Sequence, residues 1–529
     1  MAKKKKKLIF HPITTYLILI LVTILLSFIL SCFSFSSTYN SINPATGELE
    51  KTIVTVNNML SYDGIKYIIS NAAKNFISST TLSTLLITLI GLGIAESTGF
   101  IETFMKRRLV KINPKFITFI IFLLAMFSSI VNEVGYALLI PIGAMLFLFN
   151  GRNPLAGIAA SFAGVAFGYS ISFFVGTMDI NLMSYTTTAA NLIDKSYYVR
   201  MTSNLFIMII SCIILAIIGT IITEKIVVKK LGRYVLKTRD EFGETKEIEY
   251  LDLQYEEQKK IKEEKQEKKG LKYATIAGIV VTIIFIYMAI PNLPLSGMLL
   301  DLEEEAYVDR LFGTNSYFQD GFTYMMSILF AVVGIFYGIG SNSIKNDKQL
   351  FIKLGEKFSE IGLLIVMLFF SAQFISIFKE SNIGAVITAI LTNTLKSMPL
   401  SGIVLVIVAI LVVGISNLFL TSSVSKWAII SPTLVPMMMQ LNMNPAFAQF
   451  VFRAGESITN GITPLLAYFV VYIGYLNIYN KDKEKPITIG KGLRIMTPYF
   501  IGLALTWILI VVIWYLIGLP LGPGVYPTL

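Results

Sequence analysis

Histidine is almost missing from this 529-residue chain, with His11 its only example. A zinc enzyme built on a His-x-x-x-His pair is thereby excluded. Cysteine is nearly as scarce. Cys32 and Cys212 both sit in or beside apolar runs, so neither a disulfide framework nor a metal cage is expected. Charged residues make up 15% of the chain against 54% hydrophobic ones, and the mean hydropathy is +0.70. That balance does not describe a soluble globular protein. A G-x-x-x-x-G-K-[ST] phosphate loop is also missing, which argues against a nucleotide-driven pump.

What the chain does have is apolar runs of the roughly 20 residues that a hydrocarbon core demands. The class is therefore an all-α polytopic membrane protein. The net charge of +11 suggests nucleic acid at first sight. However, the basic excess lies in short loops between apolar runs, as the positive-inside rule predicts, so no nucleic-acid partner is expected. Ile13–Phe33, preceded by a lysine run, reads as a first spanning helix with its N-terminus in the cytoplasm. Residues 34–75 are polar and external. Leu82–Phe100 crosses inward, and Lys115–Phe149 has basic residues at both ends, which fits a re-entrant hairpin (about 115–150). Pro154–Met178 goes out and Asn204–Thr223 returns. Together, residues 1–223 form a first membrane half, and the charged stretch 224–271 reads as a cytoplasmic connector. The second half, 272–529, holds crossings at Tyr273–Ile290, Phe322–Ile339 and Ser359–Phe378, then a second hairpin (about 402–439). Pro445–Ile473 and Met496–Ile517 follow, leaving the C-terminus outside. The count is about nine transmembrane helices and two re-entrant helical hairpins.

The halves repeat. Asn153-Pro154 and Asn444-Pro445 are offset by 444 − 153 = 291, and the same shift carries Pro141 to Pro432 and Tyr136-Ala137 to Trp427-Ala428. Ala163-Gly164 falls on Ala454-Gly455, and Asn132 falls on Ser423. With the first hairpin entering from the cytoplasm and the second from outside, this is an inverted repeat. Secondary transporters are commonly built so, with substrate near the midplane where broken segments meet.

The paired breaks locate a candidate site. The first copy supplies Ser129, Asn132 and Glu133 at its tip, then Gly168-Tyr169-Ser170 and Ser172. The second supplies Ser422, Ser423, Ser425 and Lys426, and a segment carrying Arg453, Glu456, Ser457, Thr459 and Asn460 that breaks around Gly461 and Pro464. Charges at membrane depth are costly and tend to face a cavity or a partner. Hydroxyl, amide and carbonyl oxygens suit Na⁺, with Asn132, Ser423 and Asn460 as candidate ligands. Asp179 either ends its apolar run in interfacial water or serves as a proton or cation site. Arg453 and Glu456, three apart, share a helix face and can pair with each other; alternatively, Arg453 holds a substrate carboxylate in its planar fork. Glu133 needs a counter-charge, for which Lys426 is one candidate. Trp427 either packs or stacks on an aromatic ligand.

These residues resemble the p-aminobenzoyl-glutamate transporter (AbgT) family over essentially the whole chain. The resemblance rests on "GRNPLAGIAASFAGVAFGYS", "VGTMD", "SKWAIISPTLVPMMM" with "NPAFAQFVFRAGES", and "TNGITPLLAYF". It implies a homodimer in the bacterial inner membrane, transporting p-aminobenzoyl-glutamate and in some members exporting sulfonamide antimetabolites. It also implies transport-linked roles for Asp179, Trp427, Pro445, Arg453, Glu456 and Pro464. Glu456 stands where the family commonly has Asp, and Val424-Ser425-Lys426-Trp427 replaces the usual Ser-Ala-Lys-Trp. The family's usual Gly-Gly-Phe-Ser type of break is here "FGYSISFF".

The expectation is an ion-coupled secondary transporter of a small aromatic carboxylate, with H⁺ or Na⁺ as coupling ion and no other cofactor. Asp179, Glu456, Ser129 and Glu133 are the candidate ion-coupling groups. A transporter of dicarboxylates or other small organic anions with the same two hairpins is the alternative. A membrane hydrolase drawing on Ser423, Lys426 and Glu456 leaves the repeat unexplained, and a passive channel would lack saturable, ion-dependent flux.

Overall fold

Proline and the residue before it set four helix starts. In a computed structural model, His11, Asn113, Asn153 and Asn444 are N-caps whose side chains each accept a bond from the backbone two residues on, with proline next in line. Proline fits there because its missing N–H is one a helix start cannot use. The structure describes residues 10–42, 48–109, 112–131, 133–239, 245–249, 261–313, 315–482 and 485–529.

The chain begins with α1 (Pro12–Cys32) and an antiparallel ribbon of β1 (Ser36–Ile42) and β2 (Leu49–Thr55), in register from Ser36 opposite Thr55 to Ile42 opposite Leu49. Next come α2 (Tyr62–Ser70), α3 (Ala72–Ile77), α4 (Thr80–Ser97) and α5 (Phe100–Phe104). The first hairpin is α6 (Pro114–Phe127) and α7 (Val134–Phe149), joined through a 3₁₀ turn at Ser128–Val131. It is followed by α8 (Pro154–Phe167), α9 (Thr177–Ala190), α10 (Leu205–Ile222) and the short α11 (Val228–Leu231). A second ribbon, β3 (Val235–Arg239) with β4 (Thr245–Glu249), lies in the connector.

The second half opens with α12 (Ile261–Ala289), α13 (Tyr307–Phe312), α14 (Tyr317–Ser341), α15 (Asp347–Glu360), α16 (Gly362–Glu380) and α17 (Ile383–Ser397). The second hairpin is α18 (Gly402–Asn417) and α19 (Ser423–Gln440), leading into α20 (Pro445–Asn460), α21 (Phe469–Ile478) and α22 (Ile489–Ile517).

The protein is a predominantly helical polytopic membrane protein, the all-α expectation holding apart from the two short ribbons. Among the described residues, seven helices are long and apolar enough to cross a bilayer, in the regions of α1, α4, α10, α12, α14, α16 and α22. Their outward faces are apolar: Leu21, Leu25 and Ile29 on α1, Ile279 and Ile283 on α12, and Leu505 and Leu509 on α22 are all exposed. Such stripes would be a liability in water and are the normal surface in lipid. The other two expected crossings fall on α8–α9 and α20–α21, each interrupted in mid-course. The first crossing was expected to end at Met178. Instead α9 starts at Thr177 and runs on to Ala190, so the break at residues 168–176 is internal. The charged end of the connector, from Ile261, forms the first part of α12.

The offset of 291 is visible in the elements themselves. α8 starts at Pro154 and α20 at Pro445 (154 + 291 = 445), while α7 ends at Phe149 and α19 at Gln440 (149 + 291 = 440). α9 packs on α19, and reciprocally α21 packs on α7. Each broken crossing thus lays its second piece against the hairpin of the other copy. Residues of both breaks, Ile171 in the first and Leu465 and Leu466 in the second, belong to one buried cluster.

Candidate functional site

Every residue of α20 is buried, although the helix carries Gln449, Arg453, Glu456, Ser457, Thr459 and Asn460. A helix this polar at the centre of a membrane protein is stable only if each polar group finds a partner. Backbone contact helps supply them. A Cβ on Gly455 would lie 2.7 Å from the Ile410 carbonyl oxygen, so α18 and α20 touch main chain to main chain. At the end of α20, a Cβ on Gly461 would lie 2.4 Å from Cζ of Phe167, the last residue of α8. The two breaks are therefore neighbours.

Arg453 pairs with Asp179. Its Nη2 lies 2.7 Å from Asp179 Oδ1, and its Nη1 donates to the Ser170 carbonyl at 2.8 Å. The same Nη1 sits 3.2 Å from Met208 Sδ on α10. Asp179 is 6% exposed and its Oδ2 accepts the Gly176 N–H at 2.8 Å, capping α9. It does not end a helix in interfacial water. Ser170 has a positive φ of 61°, part of the unwinding that turns its carbonyl towards the guanidinium. Next to it, the Tyr169 carbonyl accepts Ser457 Oγ at 2.8 Å, so the first break is tied to α20 at two points.

Glu456 pairs elsewhere. Lys426 Nζ is 3.8 Å from Glu456 Oε1, both side chains fully buried, and Ser423 Oγ donates to the same carboxylate oxygen. Lys426 also donates to Asn417 Oδ1 at 2.5 Å and to the Leu420 carbonyl at 3.1 Å. Around Asn417 Nδ2 lie the Glu456 carbonyl at 3.0 Å, Thr459 Oγ1 at 3.1 Å and Asn460 Oδ1 at 2.8 Å. Thus the expected Arg453–Glu456 pairing along one helix gives way to two pairs reaching off that helix. Lys426, considered for Glu133, serves Glu456 instead. The reason is placement: residues three apart on α20 face neighbours that already offer opposite charges, one from α9 and one from the second hairpin.

The remaining candidates scatter around this pair of ion pairs. Trp427 is fully buried, packed on Phe452 at 4.5 Å between ring centroids, with its indole N–H donated to Thr186 Oγ1 at 3.0 Å. Its repeat partner Tyr136 stacks on Tyr468 at 4.9 Å. Ser422 caps α19 and bonds Ser425 Oγ at 2.9 Å, and both serines face outward at the tip. Ser129 is buried with no hydrogen bond for its Oγ. Glu133 is half-buried at the start of α7, and Asn132 lies outside the described residues. Pro445 is the buried first residue of α20, and Pro464 lies half-buried in the second break. Arg453 Nε and Nη2 and Glu456 Oε2 are buried without a hydrogen bond, the Nη2 contact to Asp179 being an ion pair, so each charged group keeps unused hydrogen-bonding capacity.

Asn417, Thr186, Gln449 and Asn204 were missed. Gln449 Nε2 donates to Thr186 Oγ1 at 2.9 Å and Asn204 Nδ2 donates to Gln449 Oε1 at 3.0 Å, extending the polar core from α9 to α10. A lone amide ending the apolar run of α18 was the available signal for Asn417. A cavity of about 370 Å³ opens beside α21, lined in part by His11, Glu360, Leu364, Asn477 and Asn480. Its lining includes neither the Arg453–Asp179 pair nor the Lys426–Glu456 pair.

The sequence model of the AbgT putative transporter family matches residues 3–529. The p-aminobenzoyl-glutamate transport protein of Escherichia coli (strain K12) is 30% identical over 519 residues, 98% of this chain and 94% of that protein. Among solved structures, MtrF of Neisseria gonorrhoeae, reported as illuminating a class of antimetabolite efflux pumps, is 32% identical with 98% of each chain covered and a TM-score of 0.49. The YdaH transporter of Alcanivorax borkumensis is 25% identical, over 97% of this chain and 100% of that one, with a TM-score of 0.47.

Proposed function

The chain belongs to the AbgT family of membrane transporters, which are not enzymes, and from that premise we propose an ion-coupled secondary transporter of p-aminobenzoyl-glutamate or related aromatic carboxylates. The observation that carries the reading is the pair of buried, separately partnered ion pairs on α20, next to both breaks. Buried ion pairs are a poor way to gain stability, since desolvation offsets most of their attraction. They are well suited to exchange, because an incoming carboxylate takes Arg453 and leaves Asp179 to a proton or Na⁺. The ligand's two glutamate carboxylates and aromatic amide match a site with one guanidinium fork and neighbouring hydroxyl and amide groups. Glu456 is the second candidate for the coupling charge. Ser129, Asn132, Ser423 and Asn460 provide the hard oxygens a Na⁺ would take.

In this reading the hairpins and broken crossings move against the unbroken helices. The protein is a homodimer in the bacterial inner membrane with its N-terminus cytoplasmic and its C-terminus outside. Binding of radiolabelled p-aminobenzoyl-glutamate, competed separately by aromatic glutamate conjugates and by plain dicarboxylates, tests the substrate. Aromatic conjugates should compete at far lower concentration. Equal or stronger competition by dicarboxylates would assign the protein to the dicarboxylate class. In the same assay Arg453→Lys should lose binding as Arg453→Ala does, because an ammonium cannot reproduce a two-pronged fork.

A further inference from the structure

Lys426 sits oddly for a helix residue. It lies in the first turn of α19, where the helix dipole opposes a positive charge. Its ammonium reaches backwards instead, to Asn417 at the end of α18 and to the Leu420 carbonyl just beyond, the pole that favours a cation. The groups around it are an amide oxygen, a main-chain carbonyl and, at 3.8 Å, a carboxylate oxygen that also holds the Ser423 hydroxyl. That is a hard-oxygen set of the kind that binds Na⁺ rather than a soft metal. At 3.8 Å Glu456 is too far for a hydrogen bond to the ammonium, so it balances charge at a distance and keeps Oε2 unpartnered. The offset of 291 does not carry these groups into the first copy. Shifting back by 291 places Met126 at the position of Asn417, Gly135 at that of Lys426 and Val165 at that of Glu456.

We propose that the Lys426 ammonium is a tethered cation filling a Na⁺-type oxygen site at the tip of the second hairpin. A free Na⁺ enters this site only when the ammonium is removed. With Lys426 charged, the cage of Asn417 Oδ1, Leu420 O and Glu456 Oε1 takes no free metal ion, and any Na⁺ dependence arises from oxygens outside that cage. The inference rests on reading the hairpin tips as the coupling region. Its test measures ion binding without transport, so either can fail alone.

The experiment is thermal unfolding of the purified full-length protein in NaCl and in choline chloride at equal ionic strength. Wild type, Lys426→Ala, Lys426→Met and the double variant Lys426→Ala/Glu456→Gln are compared. Both single variants should gain a Na⁺-specific rise in Tm of roughly 2 °C or more beyond that of wild type at saturating salt. The double variant, lacking the balancing carboxylate, should lose that gain. Single variants that yield monodisperse protein in Na⁺ but not in choline would support the proposal equally. No extra rise in folded single variants, or one that survives Glu456→Gln, overturns it. Failure of both single variants to fold in either salt also overturns it, since the ammonium would then be a clamp that no free ion replaces.

Discussion

Replacing Asp179 with asparagine removes one charge while keeping shape, and Asn can still accept the Gly176 N–H that caps α9. The cost should therefore report the ion pair alone. With Arg453 Nη2 at 2.7 Å from Asp179 Oδ1, an effective dielectric of about 20 gives a Coulomb attraction of about 6 kcal/mol. Desolvation offsets much of this in the intact pair, yet once one partner is gone the remaining charge stays buried, at a typical cost of about 3–5 kcal/mol. An unfolding entropy of about 2.1 cal/mol/K per residue, over 529 residues, gives about 1.1 kcal/mol per degree. Asp179→Asn should thus lower Tm by about 3–5 °C. A double-mutant cycle with Arg453→Gln, read by thermal melts of purified protein, should show a coupling of about 2 kcal/mol or more. The parallel cycle between Arg453→Gln and Glu456→Gln should couple by under about 1 kcal/mol. Additive losses in the first cycle, or stronger coupling in the second, would refute the assignment of Arg453 to Asp179.

Asn417→Leu removes the acceptor for Lys426 and the donor that gathers Glu456, Thr459 and Asn460, and should cost about 3 kcal/mol in the same melts. Trp427→Phe keeps an aromatic ring against Phe452 but leaves Thr186 without its indole donor; a loss of about 1–2 kcal/mol is expected, and none at all would contradict the buried bond. Tyr136→Phe should leave Tm within about 0.5 °C or raise it, because the Tyr136 hydroxyl is buried without a partner while its ring stacks on Tyr468. A clear loss there would mean that the hydroxyl is bonded in solution.

The membrane class and the repeat were legible because they are written in composition and in local punctuation. Asn-Pro at 153–154 and at 444–445 marks a helix start wherever it occurs, and both helices begin there. The hairpins were legible from polar tips between apolar runs. The partners of the charged residues were not. Spacing along one helix made Glu456 the nearest opposite charge to Arg453, but the actual partner comes from Asp179, brought in by the crossing of two broken segments. Asn417 was hidden for a related reason: an amide inside an apolar run has no local role until α20 packs against it. The β1–β2 ribbon and α17 were also unread. They support each other through tertiary contacts, such as Asn393 Nδ2 donating to the Thr38 carbonyl at 2.6 Å, that no single stretch announces.

Coupled transport of an aromatic glutamate conjugate is tested by the flux of radiolabelled p-aminobenzoyl-glutamate in proteoliposomes holding the purified protein, with Na⁺ and pH gradients imposed one at a time. The expected result is saturable accumulation driven by one gradient and abolished when that gradient is collapsed. Flux that rises linearly with concentration and ignores both gradients, or no flux from folded protein under either, would contradict it.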